Sequence, residues 1–324
     1  MSVATGPGRI AVLCGGVGAA RFLSGLVRAV EPEAVTAVVN TGDDSVLHGL
    51  MICPDLDTVT YTLAGLANPE TGWGLAGESW QAMDALERIG GADRTWFRLG
   101  DRDLGTHLYR TGRLGEGASL STVTAEIATA FGLRTRILPM SDDPVRTVLR
   151  RRGGEELSFQ EYFVKLRHAV VVDQVRFDGA ERARPAPGVL EALDEAFVVV
   201  VAPSNPIVSI GPILALPGVA DVLASRRRRV VAISPIVGGV ALKGPADRLL
   251  VELGGESSAA GVARHLSKVA GTLVVDEVDA GLAPAVEEAG LRAVVAPTVM
   301  SSPEAARRLA GIVLEAVPPP AAAR

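Results

Sequence analysis

The chain has 324 residues, 48% of them hydrophobic, and a formal net charge of −5, so it can bury a full core and is a poor candidate for non-specific nucleic-acid binding. Its longest apolar runs have the length of a strand rather than the roughly 20 residues that span a bilayer, and its first residues lack the apolar run of a secretory signal. Two unpatterned cysteines, Cys14 and Cys53, favour a reducing compartment, so we expect a cytoplasmic protein that does not contact membranes.

Short apolar strands alternate with helical periodicity at both ends of the chain. Ile10 to Leu13 is predicted to be a strand, and a Gly-rich turn, a helix near Ala19 to Val30 and a strand from Val35 to Val39 follow it. This order predicts parallel strands joined by right-handed crossovers. The same alternation predicts later strands at Arg136 to Leu138, Val198 to Val201, Val230 to Ile233, Leu273 to Val275 and Ala293 to Ala296. It predicts helices at Pro187 to Glu195, Ala246 to Leu253, Ala259 to Val269 and Pro303 to Ala316.

The predicted fold class is therefore α/β, with a Rossmann-like, doubly wound, mostly parallel sheet. The middle of the chain, from about residue 55 to 133, indicates a helical insertion beside that sheet, with helices at Asp55 to Ala67, Glu78 to Ile89 and Ser119 to Phe131. A further pair of strands is predicted within Phe159 to Val175. We interpret residues 1–317 as a single α/β domain and expect residues 318–324 to form a frayed tail.

The Gly-rich turn after the first strand is a candidate phosphate site. Gly15, Gly16 and Gly18 allow the backbone to approach a phosphate closely, and the helix that follows offers free N–H groups and a positive dipole end. Arg21 adds a cation nearby. The pattern matches neither a P-loop nor a complete G-x-G-x-x-G motif, so a purely structural turn is the alternative.

An acidic cluster follows the second strand. Asp43 and Asp44 lie at the predicted carboxyl edge of the sheet, and Asp55 and Asp57 come shortly afterwards. Carboxylates suit Mg²⁺ and can also orient or deprotonate a hydroxyl group. Helix capping is the alternative for Asp55 and Asp57. His48 lies between the two loops, where it either contacts a substrate or is structural.

A stretch rich in charge and aromatic residues, Arg94 to His107, lies in the predicted insertion. Trp96 and Phe97 together with arginine side chains suit the binding of a planar heterocycle. The alternative is an internal network of arginine and aspartate residues that holds the insertion together.

Two later loops follow predicted sheet strands and carry small or polar residues. Ser204, Asn205 and Ser209 follow one strand, and Gly238 and Lys243 follow the next. Loops in this position of a doubly wound sheet bind ligands, so we predict that these five residues contact a nucleotide.

Taken together, these motifs resemble the 2-phospho-L-lactate transferase family (CofD, called FbiA in actinobacteria). The matching segments run in family order along nearly the whole chain: residues 15–18, 40–44, 53–58, 100–104, 139–143, 160–164, 202–206 and 234–239. The resemblance implies a Rossmann-like fold, a Mg²⁺ requirement and a homodimer. It also implies transfer of a phospholactyl or phosphoenolpyruvyl group from a guanosine diphosphate conjugate to the ribityl hydroxyl of the deazaflavin Fo, with release of GMP, in coenzyme F420 biosynthesis.

The resemblance also assigns roles to individual residues. Asp55 and Arg94 match positions that bind the deazaflavin, and His48 is added to them as a possible contact. Asp43, Asp55 and Asp57 are predicted to bind the metal, and Asp57 and Asp44 to act in catalysis. Gly15, Gly16, Gly18, Ser204, Asn205, Ser209, Gly238 and Lys243 are assigned to the donor nucleotide.

Three alternatives stay open at this point. A nicotinamide-dependent oxidoreductase shares the fold class, although residues 40–42 replace the acidic residue that would bind the ribose. A nucleotide-sugar-binding regulatory protein of the gluconeogenesis-factor type shares the Gly-rich turn and the acidic loop. For a transferase, the donor acid is either phosphoenolpyruvate, which the arginine-rich composition favours through an actinobacterial host, or 2-phospho-L-lactate.

Overall fold

The computed structural model describes residues 8–318, so residues 319–324 of the predicted frayed tail and residues 1–7 of the N-terminus lie outside the described part. The strands are β1 (Ile10–Cys14), β2 (Val35–Val39), β3 (Ser45–Leu47), β4 (Leu50–Ile52), β5 (Arg136–Pro139), β6 (Arg146–Arg151), β7 (Glu156–Ser158), β8 (Val172–Asp178), β9 (Val198–Val201), β10 (Val230–Ile233), β11 (Ile236–Val237), β12 (Val240–Ala241), β13 (Thr272–Val275) and β14 (Arg292–Val295). The α-helices are α1 (Gly16–Leu26), α2 (Pro54–Leu63), α3 (Gln81–Gly90), α4 (Asp103–Gly115), α5 (Leu120–Ala130), α6 (Val189–Glu195), α7 (Gly211–Leu214), α8 (Val219–Ser225), α9 (Ala246–Glu252), α10 (Ala259–Leu266), α11 (Ala283–Glu288) and α12 (Pro303–Glu315).

Seven of these strands form one parallel sheet in the order β14-β13-β10-β9-β1-β2-β5. The chain starts in the middle with β1, runs outward to β5, and then returns to β9 and continues to the other edge. The direction of winding therefore reverses between β1 and β9, which is the switch point where doubly wound sheets bind ligands. The predicted Rossmann-like α/β fold class is confirmed.

Both faces of the sheet are covered, which explains why its strands are apolar throughout. In β1, Ile10, Val12 and Cys14 belong to a core with α1, α2 and α12, while Ala11 and Leu13 belong to a core with α6, α8 and α10. Successive strand residues point to opposite faces, so a strand buried on both sides reads as a continuous apolar run. Between β4 and β5 the chain forms α2 to α5, the helical insertion.

Two predictions about the middle of the chain need correction. Helix α4 lies outside the predicted helices, and three of its 13 residues are glycine, which disfavours helix. The strand pair expected within Phe159 to Val175 is also wrong. Residues Glu161–Lys165 form a π-helical turn, and only the start of β8 falls in that range, where β8 pairs with β6 in a small antiparallel sheet β7-β6-β8.

No single helix within residues 8–318 is long and apolar enough to cross a bilayer. One pair, Pro206–Leu214 and Val219–Ser225, meets the length and composition criteria only when the two helices are combined across a 93° bend.

Candidate active site

A cavity of about 850 Å³ lies at the carboxyl edge of the parallel sheet, beside the switch point between β1 and β9. Its walls include the loops that follow β1, β2, β9, β10 and β14, together with residues of the helical insertion. A second concavity, on the charged surface of α3, shares no residue with it. The convergence of five strand-end loops makes the larger cavity the candidate site.

The Gly-rich turn is packed too tightly for side chains. A Cβ atom on Gly15 would lie 2.5 Å from Oδ2 of Asp55, and one on Gly18 would lie 2.5 Å from the carbonyl oxygen of Pro203. Gly16 has a φ of +73°, in the left-handed region that favours glycine. The first turn of α1 thus presents its backbone directly to the cavity, the arrangement that binds anions at helix N-termini.

Short polar side chains connect the two loops at the switch point. The backbone N–H of Gly15 donates to Oγ of Ser204 at 3.2 Å, and the same hydroxyl donates to the carbonyl of Gly15 at 2.9 Å. In the next residue, Oδ1 of Asn205 accepts hydrogen bonds from the N–H groups of Ile207 and Val208 at 2.9 and 3.3 Å. Ser204 therefore ties β1 to β9, and Asn205 caps the turn after β9.

Asp55 holds the Gly-rich turn in place from a different helix. Its Oδ1 accepts from the N–H of Gly16 at 2.8 Å, and its Oδ2 accepts from Nδ2 of Asn40 at 3.0 Å. Burial raises the pKa of Asp55 to about 6, although the hydrogen bonds from Asn40 and Gly16 oppose this rise. Asp55 thus caps α1, whereas the capping alternative in the sequence concerned its own helix α2.

Asp57 belongs to a buried network with residues of α4. Arg110 binds its carboxylate through both terminal nitrogens, with Nη1 at 3.2 Å from Oδ2 and Nη2 on Oδ1. Nδ1 of His107 lies 3.7 Å from Oδ2 of Asp57, and Nε2 of the same ring lies 3.2 Å from Oδ2 of Asp103. The hydroxyl of Tyr61 donates to Asp103 at 2.5 Å.

Burial and neighbouring charges act in opposite directions on the carboxylates of this network. Burial raises the pKa of Asp57, while Arg110 and His107 lower it. Burial also acts to raise the pKa of Asp103, but hydrogen bonding and charge from His107 outweigh it and hold that pKa below its usual value. Because arginine stays protonated, the pair of Asp57 and Arg110 is an ion pair.

A metal ion could be shared by one group of three side chains within residues 8–318. The group is Asp57, Asp103 and His107, whose ligand atoms lie within 4.8 Å of one another. Asp57 already binds Arg110 through both oxygens, so a metal ion here would compete with a permanent cation. Two carboxylates and an imidazole are suitable ligands for a metal ion, but the carboxylate of Asp57 is already paired with Arg110.

Asp43 has more capacity for a further cation. It lines the cavity, is 6% exposed, and its Oδ1 has no hydrogen-bond partner among the described residues. Burial and the charges of Asp55 and Asp44 raise the pKa of Asp43 well above its usual range, a repulsion that a hard cation would relieve. The predicted trio of Asp43, Asp55 and Asp57 does not form a compact group in the described range. Asp55 is bonded to the Gly-rich turn and Asp57 to α4.

Aromatic side chains form a large part of the cavity wall. The chain contains three tryptophans, and all three line this cavity. The aromatic lining residues are Tyr61, Trp73, Trp80, Trp96, Phe97, Phe159 and Phe163. Phe159 and Phe163 stack with ring centroids 5.5 Å apart, and Trp96 and Phe97 meet edge to face at 5.8 Å. Such a wall suits a planar aromatic ligand.

A loop of the insertion, residues 67–75, reaches across to the Gly-rich turn. Its first and last residues form an antiparallel bridge, and a Cβ on Gly72 would lie 2.7 Å from Cγ1 of Val17. Nζ of Lys243 donates to the carbonyl of Thr71 at 3.0 Å. The loop therefore connects the insertion to two strand-end loops at the cavity.

The structure gathers most of the residues that the sequence singled out. The predicted residues that line the cavity are Gly15, Gly16, Gly18, Asp43, Asp55, Asp57, Ser204, Asn205, Ser209 and Lys243. Asp44, His48, Arg94 and Gly238 are not among its lining residues. His48 is exposed on a turn and Arg94 is exposed at the end of a 3-10 helix, while Asp44 is buried, where desolvation raises its pKa to about 8. The N–H of Gly238 donates to Asp279 in a hairpin turn.

The residues that the sequence reading missed lie mainly on α4. Asp103, His107 and Arg110 are spaced four and three positions apart, which places them on one face of a helix. That spacing was available in the sequence. Their pairing with Asp57 was not, because Arg110 and Asp57 are 53 positions apart.

Comparisons with known proteins bear on the family and the fold. The family model described as 2-phospho-L-lactate transferase CofD matches residues 10–296. Proteins named phosphoenolpyruvate transferase from Streptomyces griseus and Kitasatospora aureofaciens are 48% and 45% identical to the chain, covering 95% and 93% of it and 98% and 95% of their own lengths. A crystal structure of a upf0052 family member from Bacillus halodurans has a TM-score of 0.64 at 16% identity, covering 96% of this chain and 100% of that one. This last likeness concerns the fold alone.

Proposed function

The chain belongs to the CofD family of 2-phospho-L-lactate transferases, and we propose that it transfers a phosphoenolpyruvyl group from a guanosine diphosphate conjugate to the ribityl hydroxyl of the deazaflavin Fo. The products would be GMP and the dehydro form of coenzyme F420-0. The names of the relatives support phosphoenolpyruvate as the donor acid, and the family description keeps 2-phospho-L-lactate as the alternative.

One observation carries this proposal. A single cavity combines a glycine turn at a helix N-terminus with a wall that holds all three tryptophans. The turn suits a diphosphate and the wall suits a flavin-like ring. A volume of about 850 Å³ is within the range that binds substrates of this size. A transferase needs both substrates side by side, and this cavity offers a suitable surface for each.

The donor diphosphate is proposed to lie at the start of α1. Gly15, Gly16 and Gly18 bring the backbone close, and the N-terminal end of the helix favours negative charge. Arg21 and Lys243 line the same cavity and add positive charge. Asp55 positions this turn through its bond to Gly16. Most of the rate enhancement would come from holding the phosphorus in line with the attacking hydroxyl.

Asp57 is proposed to receive the attacking hydroxyl of Fo. It lines the cavity, and the two bonds from Arg110 fix the plane of its carboxylate. Such a carboxylate orients the hydroxyl and accepts its proton as the new bond to phosphorus forms. The stacked ring of Fo would be held by the tryptophan wall during this step.

Asp43 is the residue that we propose to hold Mg²⁺. When bound, the ion supplies positive charge that neutralises the phosphoryl oxygens of the donor during transfer. Asp57, Asp103 and His107 are the second candidate set, limited by the competing guanidinium of Arg110. Replacing Asp43 by Asn is expected to lower the affinity for the metal, measured by Mn²⁺ binding in electron paramagnetic resonance.

The decisive experiment is a transfer assay analysed by mass spectrometry. The protein is incubated with Fo, Mg²⁺ and either the phosphoenolpyruvyl or the phospholactyl conjugate of guanosine diphosphate. We expect release of GMP and a product mass equal to Fo plus the transferred group, with the phosphoenolpyruvyl donor preferred. Lack of product with both donors would contradict the proposal.

Two controls separate the alternatives. Binding of NAD by calorimetry would favour an oxidoreductase, and binding of a nucleotide sugar without any transfer to Fo would favour a regulatory protein. We also propose that the protein works in the cytoplasm as a homodimer, as the family resemblance implies. Sedimentation equilibrium of the full chain tests the homodimer.

A further inference from the structure

Helix α4 receives the cap of its N-terminus from another segment of the insertion. Its N-cap residue, Arg102, has no side-chain acceptor and so cannot cap the helix itself. Instead, the carboxylate of Glu78 accepts hydrogen bonds from the N–H groups of Arg102 and Asp103, each at 2.8 Å. Two N–H groups at the start of the helix are thereby satisfied, and the negative charge lies at the positive end of the helix dipole. Glu78 therefore holds the first turn of α4 in place.

The position of this carboxylate depends on the glycine at position 100. A Cβ atom on Gly100 would overlap the carboxyl group of Glu78. From the opposite side, Nη1 of Arg102 donates to the carbonyl oxygen of Ala76, so the two segments are bonded in both directions. Neither Glu78 nor Gly100 is among the residues that line the cavity. Any effect of Glu78 on the reaction must therefore pass through the helix that it caps.

The residue that Glu78 holds by its backbone carries a side chain of the network around Asp57. Asp103 lines the cavity, and its Oδ2 lies 3.2 Å from Nε2 of His107. Further along the same helix, Arg110 binds both carboxylate oxygens of Asp57. Asp57 itself lies on α2. A displacement of the first turn of α4 therefore moves three partners of the network relative to that carboxylate.

We propose that Glu78 is a positioning residue for the transfer reaction, which acts by fixing α4 and, through Asp103 and Arg110, the orientation of the Asp57 carboxylate. This inference rests on the proposed function, in which Asp57 receives the attacking hydroxyl, and it adds a residue outside the cavity to that arrangement. A misoriented carboxylate slows the chemical step, whereas the surfaces that bind the two substrates stay intact. The effect should therefore appear in kcat rather than in KM.

Replacing Glu78 by Ala provides a direct test in the steady-state transfer assay. We expect kcat to fall about tenfold, while the KM values for Fo and for the donor stay within about twofold of the wild type. Glu78→Gln keeps an oxygen that can accept from one of the two N–H groups, so its kcat should lie between those of Glu78→Ala and the wild type. Equal losses of kcat in the Gln and Ala variants would overturn the inference, because the capping bond would then have no effect.

A second variant displaces the carboxylate without removing it. Gly100→Ala places a methyl group where the carboxyl group of Glu78 lies, and it should lower kcat by a factor similar to that of Glu78→Ala. In the double variant the added methyl group has room, so it should cause little further loss. Losses of kcat that multiply in the double variant would show that the two residues act independently, which contradicts the inference.

Asp101 provides a matched control for the loss of a helix cap. It caps α3 as Glu78 caps α4, accepting from the N–H groups of Gln81 and Ala82 at 2.9 and 3.0 Å, and it is not among the residues that line the cavity. Asp101→Ala should lower the melting temperature about as much as Glu78→Ala does, but it should leave kcat near the wild-type value. If both variants lose kcat equally, a general loosening of the insertion explains the effect and the inference is overturned.

The outcomes distinguish this inference from the function on which it rests. If the wild type transfers the group to Fo and Glu78→Ala has the same kcat, the inference is overturned and the transferase proposal stands. If the wild type transfers nothing from either donor, the proposed function falls and the role of Glu78 falls with it. A loss of kcat in Glu78→Ala and Gly100→Ala, with Asp101→Ala unaffected, supports both.

Discussion

The carboxyl edge of the parallel sheet and the helical insertion contribute different chemistry to the same cavity. The sheet edge offers backbone groups, glycines and short polar side chains such as Ser204 and Asn205. The insertion offers tryptophans and a buried ion pair between Asp57 and Arg110. The first region depends on close approach of the backbone, and the second depends on large side chains and paired charges.

Because of this difference, the two regions should be destabilised by different kinds of substitution. At the sheet edge an added methyl group has no room, because a Cβ on Gly15 or Gly18 would lie 2.5 Å from a polar atom of another segment. In the insertion, added volume is tolerated at some positions, but removal of one charged partner leaves the other buried.

The largest effect is expected from breaking the ion pair of the insertion. Replacing Arg110 by Met leaves the carboxylate of Asp57, which is 5% exposed, without its partner. The free energy of unfolding should fall by about 3–5 kcal/mol, measured by urea denaturation. The double variant Asp57→Asn with Arg110→Met should recover part of this loss. If the loss in the double variant equals the sum of the losses in the Asp57→Asn and Arg110→Met single variants, the two residues do not act as a pair.

Methyl groups added to glycines test the comparison most directly. Gly18→Ala at the sheet edge should lower the free energy of unfolding by about 1–3 kcal/mol, since its Cβ would lie 2.5 Å from a backbone oxygen of Pro203. Gly112→Ala in α4 meets no atom within 4 Å and should raise it by about 0.5–1 kcal/mol. If both variants change the free energy of unfolding in the same direction, the sheet edge and the insertion do not differ in packing as proposed.

The aromatic wall should affect one substrate only. Trp96→Ala should weaken the binding of Fo about fivefold, because roughly 1 kcal/mol of stacking is lost, while the affinity for guanosine diphosphate stays the same. Trp96→Phe keeps an aromatic face and serves as the control. Fluorescence titration with Fo measures the change, since all the tryptophans line the cavity. Equal losses for both ligands would show that the two regions do not act separately.

The smallest effects are expected at two residues predicted to bind Fo, Arg94 through the resemblance and His48 through its position between the acidic loops. His48 and Arg94 are exposed and lie outside the lining of the cavity. His48→Ala and Arg94→Ala should each change the affinity for Fo by less than about 0.5 kcal/mol, or roughly twofold. A tenfold loss in Arg94→Ala, measured in the same titration, would mean that residues 92–94 move to the cavity when Fo binds.

Local sequence patterns were sufficient to predict the sheet strands and the Gly-rich turn. The apolar runs at Val35–Val39, Val198–Val201 and Val230–Ile233 matched the strands β2, β9 and β10 to the residue. Strand formation depends on local composition when both faces are buried, and glycine turns depend on local backbone geometry. These features can therefore be read from a short stretch of the chain.

Only the tertiary structure decided which side chains meet. It paired Asp57 with Arg110 across 53 positions, turned Asp55 toward α1 and brought the tryptophans into one cavity. It also left Arg94 and His48 at the surface. A local pattern specifies that a charged or aromatic residue is present, but its partner is selected by packing between segments that are distant in sequence, and that selection has no local signature.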